Sequence, residues 1–210
     1  MLTKERCAAI LEGLRELYPD AHCELEFKNP LELLVATILS AQCTDKRVNS
    51  VTKTLFKRYL TAKDYAEAEP SELEGLIRPA GFFRQKGRSI REMAKALVAD
   101  FGGRVPDSMD RLLELRGVAR KTANVILGTA FGKAEGIVVD THVRRLAYRM
   151  GLSEEEDPVK VEKDLMALVP GKEWIFFGHA VIWHGRRVCK ALSPDCPGCA
   201  LSKVCPQRGV

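Results

Sequence analysis

Leu113-Glu114-Leu115-Arg116-Gly117-Val118-Ala119-Arg120-Lys121-Thr122-Ala123-Asn124 joins a short helix to an amphipathic one through a glycine turn. A turn that opens a helix leaves backbone N–H groups pointing outward without intrahelical partners. The helix dipole adds positive potential at the same end. Together they form a cradle for a phosphate oxygen. Gly117 permits a backbone shape and a close approach that a side chain would hinder. Arg120 and Lys121 place two cations at that end. Two cations there oppose the dipole, which points to an anionic partner. Taken alone, Lys121 reads as a plain phosphate-binding lysine.

Outward from this hairpin the chain reads as helix after helix, with few stretches alternating over a strand's length. Thr3 is expected to cap a helix whose apolar face is Cys7, Ile10, Leu11, Leu14 and Leu17, with Pro19 past its end. Asn29-Pro30 is a cap followed by proline at the first helical position. The segment after it, Leu31 to Leu39, is apolar nearly all round, as in a helix buried on most sides. Thr44 begins a more polar helix with Val48, Val51, Leu55 and Tyr59 on one face. Ser71 and Glu74 have capping-box spacing. Further helices are expected over 87–101, from Pro106-Asp107 to about Leu115, over 120–131, from Asp157-Pro158 to Pro170-Gly171, and over 173–187. The fold class is all-α. No repeat at a fixed period appears.

The 210 residues suit one large domain or two small ones sharing a core. No run reaches the roughly 18 apolar residues of a membrane span. The start, Met1 to Arg6, lacks an apolar signal core, so a cytoplasmic protein is expected; a monomer with no membrane partner is expected as well. The formal net charge of +5 is mildly basic, which alone is weak evidence for a nucleic-acid partner.

Of the seven cysteines, Cys7, Cys23 and Cys43 are scattered and read as small apolar residues. The other four follow Cys189-x6-Cys196-x2-Cys199-x5-Cys205. Four thiolates suit either zinc or an iron–sulfur cluster. Zinc sites usually pair two short Cys-x-x-Cys turns, and only one is present. A cubane separates its ligands more, so the spacing favours iron–sulfur. Pro194, Pro197 and Gly198 fit a loop turning sharply around a bulky group.

This cysteine array resembles that of the endonuclease III family, and the resemblance extends from about Leu31 to Cys205. It implies a [4Fe–4S] cluster on Cys189, Cys196, Cys199 and Cys205. The hairpin resembles the helix-hairpin-helix of DNA glycosylases, with Arg116 replacing a proline and Ala119 a glycine of the usual Leu-Pro-Gly-Val-Gly turn. The resemblance puts Gly117, Ala119 and Arg120 on the DNA backbone and makes Lys121 the nucleophile. Arg116 is a further candidate for phosphate contact. Val139-Asp140-Thr141-His142 matches the motif that supplies the catalytic aspartate, although Asp140 in isolation reads as a helix cap. His142 reads as structural, and Arg145 as a contact to phosphate or a neighbouring carboxylate.

Two more stretches resemble loops of that family which enter DNA. In Ser40-Ala41-Gln42-Cys43-Thr44-Asp45 the resemblance makes Gln42 the residue that fills the hole left by a flipped base. In Gly81-Phe82-Phe83-Arg84-Gln85-Lys86-Gly87, Phe82 is the apolar wedge, with Arg84 and Lys86 on flanking phosphates. Lys190, inside the first cysteine loop, is a further backbone contact. The resemblance implies two helical domains flanking a DNA-binding cleft. One is an iron–sulfur domain of 1–22 and 135–210. The other is a six-helix barrel of 23–134, with the hairpin at about 108–131. It implies a bifunctional DNA glycosylase and abasic-site lyase acting on oxidised pyrimidines in duplex DNA. The rival readings are a monofunctional glycosylase, a damage-binding protein without lyase activity, and a redox-regulated transcription factor.

Overall fold

A computed structural model describes residues 3–210. Among these the secondary structure is all helix: α1 (Thr3–Leu17), α2 (Pro30–Leu39), α3 (Asp45–Arg58), α4 (Ala62–Ala66), α5 (Pro70–Ile77), α6 (Phe83–Asp100), α7 (Met109–Leu113), α8 (Arg120–Phe131), α9 (Thr141–Arg149), α10 (Pro158–Leu168) and α11 (Trp174–Arg187). Single 3-10 turns precede α6 and α11, at Arg78–Ala80 and Gly171–Glu173. The chain divides into two compact units, Glu24–Lys133 and the pair of segments Met1–Cys23 with Ala134–Val210.

In the unit Glu24–Lys133, α2 is the central rod. Leu33, Leu34, Val35, Ala36, Ile38 and Leu39 are all buried along it, as expected for a helix apolar on most faces. Asn29 Oδ1 accepts the Glu32 N–H at 2.9 Å and Pro30 occupies the first turn. Thr44 caps α3 through its side chain. Helices α6 and α8 both pack on α2, α4 and α5 lie on α6, and α7 lies on α8.

In the second unit α1 packs on α10 and α11, while α9 packs on α10 and α11. Ile10, Leu14, Ile137, Val143, Leu146, Val161, Leu165, Phe177 and Val181 make its core.

Several local readings are corrected. Thr3 is the first described residue of α1 rather than a cap before it, and Leu17, expected on the apolar face, is exposed. Ser71 does not cap α5: Pro70, with its preset φ, opens the helix one residue earlier behind Glu69. The capping box is instead at Thr61 and Asp64. Helix α7 starts at Met109, behind Ser108. Helix α6 starts at Phe83, four residues before Gly87. Gly87 lies inside it because the helix packs tightly there: a Cβ would meet Glu74 Cγ at 3.3 Å and Ile77 Cδ1 at 3.6 Å.

Candidate active site and nucleic-acid interface

The hairpin is built as a tight turn. Leu115 N–H donates to Leu112 O and Val118 N–H to Leu115 O, both at 3.1 Å, and the Leu115 and Val118 side chains are buried. Gly117 between them has φ +82°, and a Cβ there would meet Ser89 Cβ at 3.3 Å. Conformation and space both require glycine. Ala119 is the cap residue of α8 and offers no side-chain bond. The first-turn N–H groups of α8 therefore lack the side-chain acceptor that Asn29, Thr44 and Thr61 give to their helices. Lys121 stands in this first turn and is exposed, with Arg120 half-buried beside it. Arg116 is exposed, and its Nε pairs with Glu92 Oε2 on α6 at 2.8 Å.

Gln42, Phe82, Lys86, Gly117 and Thr122 line one pocket of this unit. Gln42 has φ +52° and Phe82 φ +47°, the left-handed conformation that a side chain disfavours. Both residues are exposed, Phe82 at 60%. Phe83 is the inner member of the aromatic pair. The Arg78 and Arg84 guanidinium groups lie 5.7 and 5.4 Å from its ring centre. Arg84 is exposed. Lys86 is not the flanking-phosphate contact that the resemblance implied. It is only 4% exposed, and its Nζ donates to Leu39 O and Ala80 O, each at 2.8 Å. Burial pushes its ammonium down from the usual lysine value.

The other unit holds Asp140 and the four clustered cysteines. Asp140 Oδ1 accepts from the His142 and Val143 N–H groups, both at 2.8 Å, and so caps α9. Among the described residues Oδ2 takes no such bond. Arg145, one turn on, bonds no carboxylate among the described residues. Its Nη2 donates to Gly185 O at 3.0 Å and Cys189 O at 2.9 Å, and lies 3.2 Å from His142 Nδ1.

Cys189, Cys196, Cys199 and Cys205 line a single pocket with Arg149, His184 and Leu201. Arg149 is 8% exposed. Its Nη1 lies 3.4 Å from Cys189 Sγ and 2.7 Å from Lys190 O, and its Nη2 2.9 Å from Ala191 O. The Lys190 side chain is exposed while its carbonyl is held. His184 Nε2 lies 3.5 Å from Cys199 Sγ, and its Nδ1 lies 3.0 Å from the Tyr18 hydroxyl. Burial pushes the Cys199 and Cys205 thiols up.

Residues 35–171 match the profile of the HhH-GPD superfamily of base excision DNA repair proteins. Endonuclease III of Synechocystis is 50% identical over 203 residues, covering 97% of this chain and 93% of the relative. That of Bacillus subtilis is 44% identical over 206 residues, 98% and 94% of the two chains. The chain belongs to the endonuclease III family. The structure of a trapped endonuclease III–DNA covalent intermediate superposes with a TM-score of 0.94 at 46% identity, covering 99% of this chain and 97% of that one. A thermostable thymine-DNA glycosylase, 23% identical, shares the fold with a TM-score of 0.89.

Endonuclease III is known for an iron–sulfur cluster, and the cysteine pocket is suited to one. Among the described residues no three His, Cys, Asp or Glu side chains converge tightly enough for a single ion. Yet four sulfurs ring one pocket. Four thiol side chains around one pocket are a donor set that suits a polynuclear iron–sulfur cluster. Sequence reasoning missed the residues that brace this pocket. Arg149 follows Arg145 by four positions, so both lie on one side of α9, and both bond the cysteine loop. His184 lies on the buried side of α11, between Val181 and Gly185.

Proposed function

We propose that this member of the endonuclease III family is a bifunctional DNA glycosylase and abasic-site lyase that removes oxidised pyrimidines from duplex DNA. The observation that carries this reading is the exposed Lys121 amine. It stands in the uncapped first turn of α8, between the Gly117 turn and Thr122 of the pocket that Gln42 and Phe82 also line.

The α8 N-terminus and Arg120 hold backbone phosphate, with Arg84 and Lys190 on flanking phosphates. Phe82 unstacks a base step and Gln42 enters the space left by the flipped nucleotide, its amide facing the orphaned base. Lys121 Nζ attacks C1′, and the N-glycosidic electron pair leaves with the damaged base, which takes up a proton. Asp140 Oδ2 faces the positive charge that develops on the sugar while Oδ1 stays on the α9 N–H groups. Loss of the amine's proton and opening of the C1′–O4′ bond, with a proton taken up by O4′, then give a Schiff base that acidifies C2′–H. Loss of that proton expels the 3′ phosphate and cuts the strand by β-elimination. Hydrolysis of the imine frees Lys121.

Cys189, Cys196, Cys199 and Cys205 would hold a [4Fe–4S] cluster, which supplies a covalent tie across the C-terminal segment and a redox-capable centre. Arg149 and Arg145 fix the cysteine loop through its carbonyls. The enzyme acts as a monomer in the cytoplasm.

Borohydride reduction on duplex DNA carrying thymine glycol tests the reading. Wild type should give a covalent protein–DNA adduct, and Lys121→Ala none. Base release by wild type without an adduct would make the enzyme a monofunctional glycosylase. Absence of both products, on this lesion and on an abasic site, would leave only a binding role.

A further inference from the structure

Among the described residues Lys86 is the one buried lysine. It lies on the face of α6 that carries Ile90, Met93, Ala94 and Leu97, and the described residues give it no carboxylate partner. Taking an ammonium out of water is costly unless its donors are satisfied. A leucine or methionine would fill the same space without that cost, so the amine answers to something it bonds.

What it bonds is specific. Leu39 O is the last carbonyl of α2, and Ala80 O the last of the 3-10 turn. Helix ends carry partial negative charge and unpaired carbonyls, which favour a cation. Gln42 follows Leu39 by three residues and Phe82 follows Ala80 by two. These are the two non-glycine residues of this unit with positive φ, and they line one pocket with Lys86 itself. One tetrahedral ammonium thus ties the roots of two loops that are distant in sequence.

We propose that Lys86 is a positioning residue which holds the Gln42 and Phe82 loops together in their inserted-ready conformations before DNA arrives. The inference rests on the reading of Gln42 and Phe82 as the residues that enter the duplex. A left-handed side-chain-bearing residue persists only where its surroundings over-determine it. Fixing both loop roots at one point supplies that constraint, and it removes an ordering step from DNA binding.

The test uses the full-length protein with Lys86→Met, which keeps the volume and removes the donors, and Lys86→Gln, which restores N–H donors without charge. Loop order is read by hydrogen exchange at residues 40–44 and 80–84. Base flipping is read by the fluorescence of 2-aminopurine placed beside the lesion. Schiff-base formation without flipping is read by borohydride trapping on single-stranded abasic DNA. Lys86→Met should speed exchange in both loops and lower the flipping signal about tenfold, with Lys86→Gln between it and wild type. Trapping on the single strand should stay within about twofold.

Unchanged exchange in both loops, or unchanged flipping, would overturn the proposal. So would an equal loss of flipping and single-strand trapping, which marks general damage to the fold. Should Lys86→Met fail to fold, Lys86→Gln decides on the same criteria. A wild type that traps nothing would remove the lyase reading, while hydrogen exchange would still judge the clamp.

Discussion

Gln42 and Phe82, forty residues apart, share an unfavourable backbone conformation and one pocket, with φ +52° and +47°. Left-handed backbone costs a side-chain-bearing residue about 1 kcal/mol, which glycine avoids. Glycine in turn costs roughly 0.5–1 kcal/mol through the unfolded chain. Phe82 is 60% exposed and loses little burial on truncation. Gln42→Gly and Phe82→Gly should therefore melt within about 1 kcal/mol of wild type. Both should flip bases at least tenfold less well. Destabilisation beyond about 2 kcal/mol in either variant would show that these side chains serve the fold instead.

Asp140 combines a structural role with a chemical one, and two substitutions separate them. Asparagine keeps an oxygen that can accept from the His142 and Val143 N–H groups. Asp140→Asn should thus melt near wild type while base excision slows roughly 100- to 1000-fold, the scale for a lost electrostatic stabiliser. Asp140→Ala loses the cap as well, at about 1 kcal/mol. Equal melting of the two variants would argue against the cap. Excision by Asp140→Asn close to wild type would remove Asp140 from the chemistry.

Where the sequence was informative, a local rule and the tertiary packing agreed. Helix α8 lies where expected, over 120–131, opened by the glycine turn, and Gly132 closes it. Asn29-Pro30 likewise set the start of α2. Helix α6 begins at Phe83 rather than at Gly87, behind Phe82, which makes no side-chain cap bond. At Gly87 the packing against Glu74 and Ile77 selects glycine. The resemblance puts Lys86 on a flanking phosphate, whereas the structure buries it on two carbonyls. Its spacing from Ile90 and Ala94, four residues at a time, already put it on the buried face. Which carbonyls it bonds is a tertiary fact that no periodicity carries. The same holds for Arg149, whose partners lie about forty residues downstream, and for Arg116, whose partner is Glu92.

Arg149 braces the loop that begins at Cys189. Replacing it with methionine keeps much of the volume but leaves Lys190 O and Ala191 O without their donor and removes a cation beside Cys189 Sγ. An unsatisfied buried group costs about 1–3 kcal/mol. Outer partners of metal ligands typically change metal affinity 10- to 100-fold. Arg149→Met should therefore purify with less iron per chain and lose its remaining iron faster to a chelator. Its salt-dependent affinity for undamaged duplex should also fall, as the Lys190 backbone loosens. Wild-type iron content together with wild-type release kinetics would sink this account of the loop.

Acid should weaken the unit that contains α11, through His179. Burial, and then the charge of His22, pushes the His179 imidazole down from 6.5 to about 4. The unfolded chain then binds a proton that the folded chain refuses, between those two values. Stability is full above pH 6.5, falls as pH drops toward 4, and levels off below. Between pH 7 and pH 5 this one group is worth at most about 2 kcal/mol, at 1.36 kcal/mol per unit of pKa difference. Urea midpoints at the two pH values, for wild type and His179→Gln, give the measurement. The variant should lose less stability on acidification than wild type by about that amount. Parallel loss in both proteins would mean that His179 is protonated in the folded state, and that the acid sensitivity arises elsewhere.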